Sequence, residues 1–178
     1  NSTYILSGGQ DGVVRIWART THELVNQFSA HHKEVHTLFA DFSYSNIIYS
    51  GGEDKNMNCF DLKQGKKVIS HGMKNGFIFG MDQRKNNNKE ILSVGFNCGL
   101  CLWDFYKSDP VLELNLGRNF FCLKISNSGK YIALGSELGE LFIMCIDSLK
   151  ILSTIQGHSL RISAITWSPD DKQIRTCC

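Results

Sequence analysis

The feature that most constrains this chain is a large residue that closes a similar segment at a nearly fixed interval. Ser7-Gly8-Gly9-Gln10-Asp11-Gly12-Val13-Val14-Arg15-Ile16-Trp17 is matched by segments ending at Phe60, Trp103 and Met144, so the ends stand 43, 43 and 41 residues apart. A repeat of this length has to be read before any local pattern, because each unit is one supersecondary piece that cannot cover its own apolar face alone. Val14 and Ile16, Met57 and Cys59, Leu100 and Leu102, and Leu141 and Ile143 agree in type, while their neighbours Val13, Arg15, Asn58, Cys101 and Phe142 are mixed. That alternation predicts a strand with one uniformly buried face.

The rest of each period divides in the same way. Val35 to Ala40, Ile47 to Ser50, Met57 to Phe60 and Lys67 to Ile69 read as four short strands with polar or Gly-Gly turns between them. Phe77 to Met81, Ile91 to Val94, Leu100 to Trp103 and Val111 to Leu114 repeat the set, as do Phe120 to Ile125, Tyr131 to Leu134, Leu141 to Met144 and Ile151 to Ile155. Four strands per period of roughly 40 to 45 residues predict an all-β fold, a β-propeller of four-stranded antiparallel blades. About four blades fit in 178 residues.

Within that phase, Trp103-Asp104 is a WD pair, Gly157-His158 a GH pair, and Ser168-Pro169-Asp170-Asp171 a turn after an innermost strand. The chain resembles the WD-repeat propellers over its whole length. The resemblance implies one segment, 1–178, of a larger ring, commonly seven-bladed. Its blades are placed at approximately 1–30 (partial), 31–72, 73–116, 117–156 and 157–178 (partial). A closed four-bladed ring, in which Ile162 to Trp167 joins the first three strands, is the alternative.

The resemblance also implies a buried clasp in each blade, in which a loop His, a turn Asp, a strand Ser or Thr and the Trp satisfy one another's hydrogen bonds. Ser7, Asp11 and Trp17 match it in the first blade, and His31, Ser50 and Asp54 in the second, where Phe60 removes the indole donor. Ser93, Asn97 and Trp103, followed by Asp104, match it in the third, with Lys74 near the His position; the fourth has Leu134, Leu138 and Met144 instead. No complete clasp is expected, and these residues are read as structural. Near the end, Ile174-Arg175-Thr176-Cys177-Cys178 puts an Arg where an internal strand should be, which is costly unless it reaches solvent or a partner. We expect the repeat to be lost near Arg175, through truncation or a shifted reading frame. Asn1 in place of an initiator Met suggests a longer natural chain.

Chemistry is sparse. Cys98-Gly99-Leu100-Cys101 has the spacing of a zinc or redox pair, but residues three apart on a strand point to opposite faces, so no metal and no redox function is expected there. His31, His32 and His36 are explained by the loop position and solvent. No nucleophile elbow or phosphate loop is present, and Gly8-Gly9-Gln10-Asp11-Gly12 leads into a strand rather than a helix N-terminus, so neither an enzyme, a cofactor nor a small-molecule substrate is expected. Seven scattered cysteines without a secretory signal predict free thiols in a reducing compartment, and no apolar run reaches the roughly 20 residues a membrane helix needs. The expected location is cytoplasmic, with cytoskeleton or cilium as candidates.

Lys and Arg number 19 against 17 Asp and Glu, so no global field draws the chain to nucleic acid. Locally, however, Lys33, Lys74, Arg118 and Arg161 fall in the loop before each innermost strand, at spacings of 41, 44 and 43. These four are the candidate partner-binding residues. The function expected is a protein-interaction scaffold whose loop face takes an acidic segment; RNA or phosphate-backbone binding on that face is the alternative. Gln83 to Lys89, polar and long for a hairpin, is expected to be a flexible loop.

Overall fold

The computed structural model describes residues 3–41, 46–73, 76–84, 90–104, 107 and 109–178. Among these, all regular structure is β. The first sheet has three strands, β1 (Tyr4–Gly8), β2 (Val13–Ala18) and β3 (Leu24–Ser29). The second has β4 (Val35–Ala40), β5 (Ile47–Gly52), β6 (Asn56–Asp61) and β7 (Lys66–Gly72). The third has β8 (Phe77–Gln83), β9 (Glu90–Phe96), β10 (Gly99–Asp104) and β11 (Leu112–Leu114). The fourth has β12 (Phe120–Ile125), β13 (Tyr131–Ser136), β14 (Glu140–Cys145) and β15 (Ile151–Gln156), and β16 (Ala164–Trp167) with β17 (Ile174–Cys177) makes the fifth. Every pairing is antiparallel between sequence neighbours, the propeller meander. β16 pairs with β17 and not with β1, so the four-bladed closure is not formed.

The core explains why the unit must repeat. Its four apolar clusters lie at the seams between sheets. Leu92, Val94 and Leu100 of the third pack on Phe120, Leu134 and Met144 of the fourth, and Met57 and Cys59 of the second pack on Ile78, Ile91 and Trp103 of the third. Val14, Ile16 and Phe28 meet Ile48 and Phe60 at the first seam, while Ala133 and Leu141 meet Ile162 at the last. A blade between two others therefore buries both faces. The single buried face predicted for the third strands holds for β2, where Val14 and Ile16 are buried, but Asn58, Cys101 and Phe142 on the other face of β6, β10 and β14 are buried as well. Alternation is lost because the neighbouring blade covers the second face.

Some boundaries differ from expectation. β16 begins at Ala164 rather than Ile162, and the Ile162 N–H donates to the Ser136 carbonyl of the preceding blade at 3.1 Å. Gln83 is the buried last residue of β8, not a loop residue, and its amide donates to Asp41 at 2.6 Å. Residues 85–89 of that expected loop lie outside the described residues. The repeat also continues past Arg175: Ile174–Cys177 forms a strand in register with β16, and Arg175 points to solvent, which removes the cost that argued against it.

Candidate functional site

One end of each sheet is built from tip turns and the loops they hold. The tip turn between the second and third strands needs a residue in the left-handed region, and Gly12 (φ 73°), Lys55 (φ 68°) and Gly139 (φ 80°) supply it. The Gly12 carbonyl accepts from the N–H groups of Ala30 and His31, and the Gly139 carbonyl accepts from those of Gly157 and His158. Each tip turn thus ties down the loop that leads to the next blade.

The clasps form where the sequence supplies them. His31 Nδ1 lies 2.7 Å from Asp54 and its Nε2 2.8 Å from the Ser50 hydroxyl, so the tautomer with its proton on Nδ1 donates to the carboxylate and accepts from the serine. Burial alone would raise the Asp54 carboxyl, but bonds from His31, the His32 N–H and Asn56 outweigh it and hold the group below its usual range. In the third blade the Trp103 indole donates to Ser93 at 2.8 Å, and in the first Trp17 donates to Ser7 at 2.9 Å. Asp11 instead pairs with Arg15 at 2.6 Å, and Asp104 ends β10 opposite Glu90. In the fifth blade His158 Nε2 lies 2.7 Å from Thr176.

Of the four basic positions, Lys74 lies outside the described residues. Lys33 sits 3.6 Å from Glu53, Arg118 lies 2.8 Å from Glu140, and Arg161 carries its guanidinium over the Phe121 ring at 5.1 Å. Two of the three described cations thus share their charge with a carboxylate, and the other lies on an aromatic face. Spacing could not show this, because Glu53 and Glu140 come from the tip region of the following strands rather than from the loops.

The innermost strands carry a feature that alternation hides. β4, β8 and β12 each have a bulge at the same height, between Val35 and Thr37, Ile78 and Gly80, and Phe120 and Cys122. The residues left over are His36, Phe79 and Phe121. A bulge re-aims the extra side chain out of the ladder, and here the three rings meet across blades, His36 tilted against Phe79 at 4.5 Å and Phe79 stacked on Phe121 at 4.6 Å. Phe77 flanks them with Lys33 above its ring at 5.7 Å. A cationic rim over an aromatic ladder therefore runs along the inner wall. The signal that could have found it is the interval of 43 and 42 residues between the ring-bearing positions.

The opposite end is closed by polar links between blades that the repeat did not suggest. Asp82 accepts from the Ile125 N–H at 3.0 Å and pairs with Lys124 at 3.1 Å; Arg84 bridges Glu90 and Asp147. Asp171 accepts from the N–H groups of Asn127 and Ser128 at 2.7 Å each, and these bonds, outweighing desolvation, hold its carboxyl at about 2.

The histidine cluster divides: His31 is consumed by its clasp and His32 is exposed. His36 stands with Glu34 and Glu53, ligand atoms within 4.8 Å of one another, but Gln10 donates to Glu34 at 2.7 Å and Lys33 faces Glu53. The cysteine pair corrects the reading of its spacing. Cys98 belongs to the turn, where Asn97 (φ 57°) and Gly99 (φ 63°) are both left-handed, so alternation does not apply between it and Cys101. The Cys101 thiol donates toward the Cys98 carbonyl at 3.5 Å, and Cys98 packs on the apolar cluster that contains Cys101.

Comparison with known proteins agrees with this construction. The WD domain, G-beta repeat family matches residues 1–18 and 149–178. Among curated relatives, Actin-interacting protein 1-2 of Arabidopsis thaliana is 27% identical over 96% of this chain, and Autophagy-related protein 16 of the same plant is 21% identical over 99%. Its WD repeat-containing protein VIP3 is 23% identical over 96%. The chain spans 27%, 34% and 57% of those three proteins. The solved β-propeller domain of Cps50 (Swd1) from Myceliophteria thermophila superposes with a TM-score of 0.86 at 17% identity, covering 98% of this chain and 58% of that one. With strands, seams, tip turns and clasps in phase at the repeat interval, the chain folds as a β-propeller segment similar to the WD-repeat propellers, whose family model matches its two ends.

Proposed function

We propose that this chain is part of a non-catalytic interaction scaffold, and that its loop face receives an acidic segment of a partner protein. The observation that carries the reading is the pair of cations set over rings, Lys33 over Phe77 and Arg161 over Phe121. They bring positive charge and apolar surface to one rim, which suits a segment that alternates carboxylates with apolar side chains. The polar groups of the clasps are engaged with one another and serve the fold. A cytoplasmic location with a cytoskeletal or ciliary partner belongs to the same reading, and the actin-interacting relative supports the cytoskeletal branch.

The test is binding of a fluorescent acidic peptide by the purified protein and by a variant carrying Lys33→Glu, Lys74→Glu and Arg161→Glu. Loss of roughly tenfold or more in affinity is expected for removal of several complementary charges. Unchanged affinity would overturn the reading. Saturable binding of an RNA oligonucleotide that steepens as salt falls, with none of the peptide, would transfer the face to a phosphate backbone.

A further inference from the structure

Two cysteines that the repeat assigns to opposite faces meet at the tip of the third blade. Cys98 is half-buried in the turn between β9 and β10, and Cys101 is fully buried two residues into β10. The double left-handed turn at Asn97 and Gly99 brings the Cys98 side chain inward, where its sulfur lies 3.6 Å from the Phe77 carbonyl and packs on the cluster that contains Cys101 and Trp103. Outward, Cys98 lines an open polar cleft of about 440 Å³ with Glu113, Asn115, Arg118 and Asn119. Cys98 is therefore the part-exposed member of the pair, and the sulfur of the buried Cys101 lies 3.5 Å from the Cys98 carbonyl.

We propose that Cys98 and Cys101 form a peroxide-oxidisable dithiol, with Cys98 as the attacked and Cys101 as the resolving residue. The first step has the Cys98 thiolate, its proton given up to solvent, attack one oxygen of a hydroperoxide; the sulfur–oxygen bond forms, the peroxide oxygen–oxygen bond breaks, and the expelled hydroxide (or alkoxide) takes that proton back from solvent and leaves as water (or the alcohol). Cys101 then attacks the sulfur of the resulting sulfenic acid. A disulfide forms, the sulfur–oxygen bond breaks, and the hydroxyl departs as water with the Cys101 proton. Two electrons leave the thiol pair and the hydroperoxide takes both. The neighbouring Cys98, and then burial, hold the Cys101 thiol above its usual range, which leaves the part-exposed Cys98 as the residue attacked. Cys177 and Cys178, both exposed, are competing targets. The proposal does not depend on what the loop face binds.

The test treats the purified protein with a several-fold molar excess of hydrogen peroxide, alkylates free thiols, and maps tryptic peptides by mass. The peptide from Glu90 to Lys107 contains Cys98 and Cys101 and no other cysteine, so the pair reads as one unalkylated peptide lighter by two hydrogens. That species, reversed by dithiothreitol, is expected, and Cys101→Ser is expected to leave Cys98 as a sulfenic acid trapped by dimedone. Full alkylation of both residues after peroxide has consumed Cys177 and Cys178 would overturn the proposal. Dimedone trapping of Cys98 in the unsubstituted protein, without disulfide, would overturn the resolving role.

Discussion

His158 Nε2 stands 2.7 Å from Thr176 Oγ1, eighteen residues on, in the positions where His31 and Ser50 stand at 2.8 Å nineteen residues apart. The fifth blade therefore rebuilds the clasp of the second with threonine for serine, and the break expected at Arg175 does not occur. The two clasps differ in burial and in the carboxylate: His31 is buried and joined by Asp54, whereas the bond of His158 is part-buried and Thr176 is its partner. We expect His31→Ala to cost roughly 2–3 kcal/mol, since it orphans both Ser50 and Asp54, and His158→Ala to cost roughly 1 kcal/mol. Denaturant midpoints of the two variants check the order, and equal losses would show that burial does not set the value of the clasp.

The two tryptophan clasps give a matched comparison. Trp103 is fully buried and donates to the buried Ser93, while Trp17 and Ser7 make the same bond at an exposed position. Replacing Trp103 by Phe removes the donor and leaves a cavity, with an expected loss of about 3 kcal/mol. Trp17→Phe should cost less than about 1 kcal/mol, because water can replace the bond. Similar losses at both positions in thermal or chemical unfolding would contradict this account.

How much of this was legible depended on which residues repeat in kind. Trp17, Phe60, Trp103 and Met144 differ chemically but share size and interval, and that sufficed to place the strands. The clasps were legible because Ser50, Asp54, Ser93 and His158 are polar residues at positions a packed blade would otherwise fill with apolar ones. The cationic rim was legible only as positions. Glu53 and Glu140, which face Lys33 and Arg118, sit across a turn whose direction sequence spacing does not encode. The ladder of His36, Phe79 and Phe121 was hidden because a bulge breaks the alternation on which strand reading relies. Cys98 and Cys101 were misread for a related reason: strand periodicity was extended into a turn.

The tip turns predict substitutions of opposite sign. Lys55 holds a left-handed conformation that costs a residue with a β-carbon about 1 kcal/mol or more, so Lys55→Gly is expected to stabilise by a few tenths to about 1 kcal/mol after glycine's own entropy cost. At Gly139 the conformation is the same, and a β-carbon would lie 2.1 Å from the His158 carbonyl oxygen, so Gly139→Ala is expected to lose several kcal/mol or fail to fold. Urea unfolding of both variants decides it; a stabilised Gly139→Ala would mean that the loop holding His158 is free to move away.

His36 gives a prediction in pH. Its ring is tilted against Phe79, with Glu34 and Glu53 near it, and His31 close by. Burial depresses the imidazole below its ordinary value of 6.5, and the two carboxylates offset this only in part, with the His31 ring opposing them. Between the folded and unfolded values the unfolded chain binds the extra proton, so this residue's contribution is present in full above 6.5 and is lost as pH falls through the folded value. The next two blades place phenylalanine at the same bulge, which makes His36→Phe the conservative change: it keeps an aromatic ring against Phe79 and removes the titration. The difference in unfolding free energy between the two proteins, followed from about pH 8 to pH 5, should shift toward the variant as acid is added. Other histidines are common to both proteins and cancel in the difference. A difference that stays flat across this range would mean that the His36 ring titrates as it does in the unfolded chain, and that the ladder leaves it in contact with water.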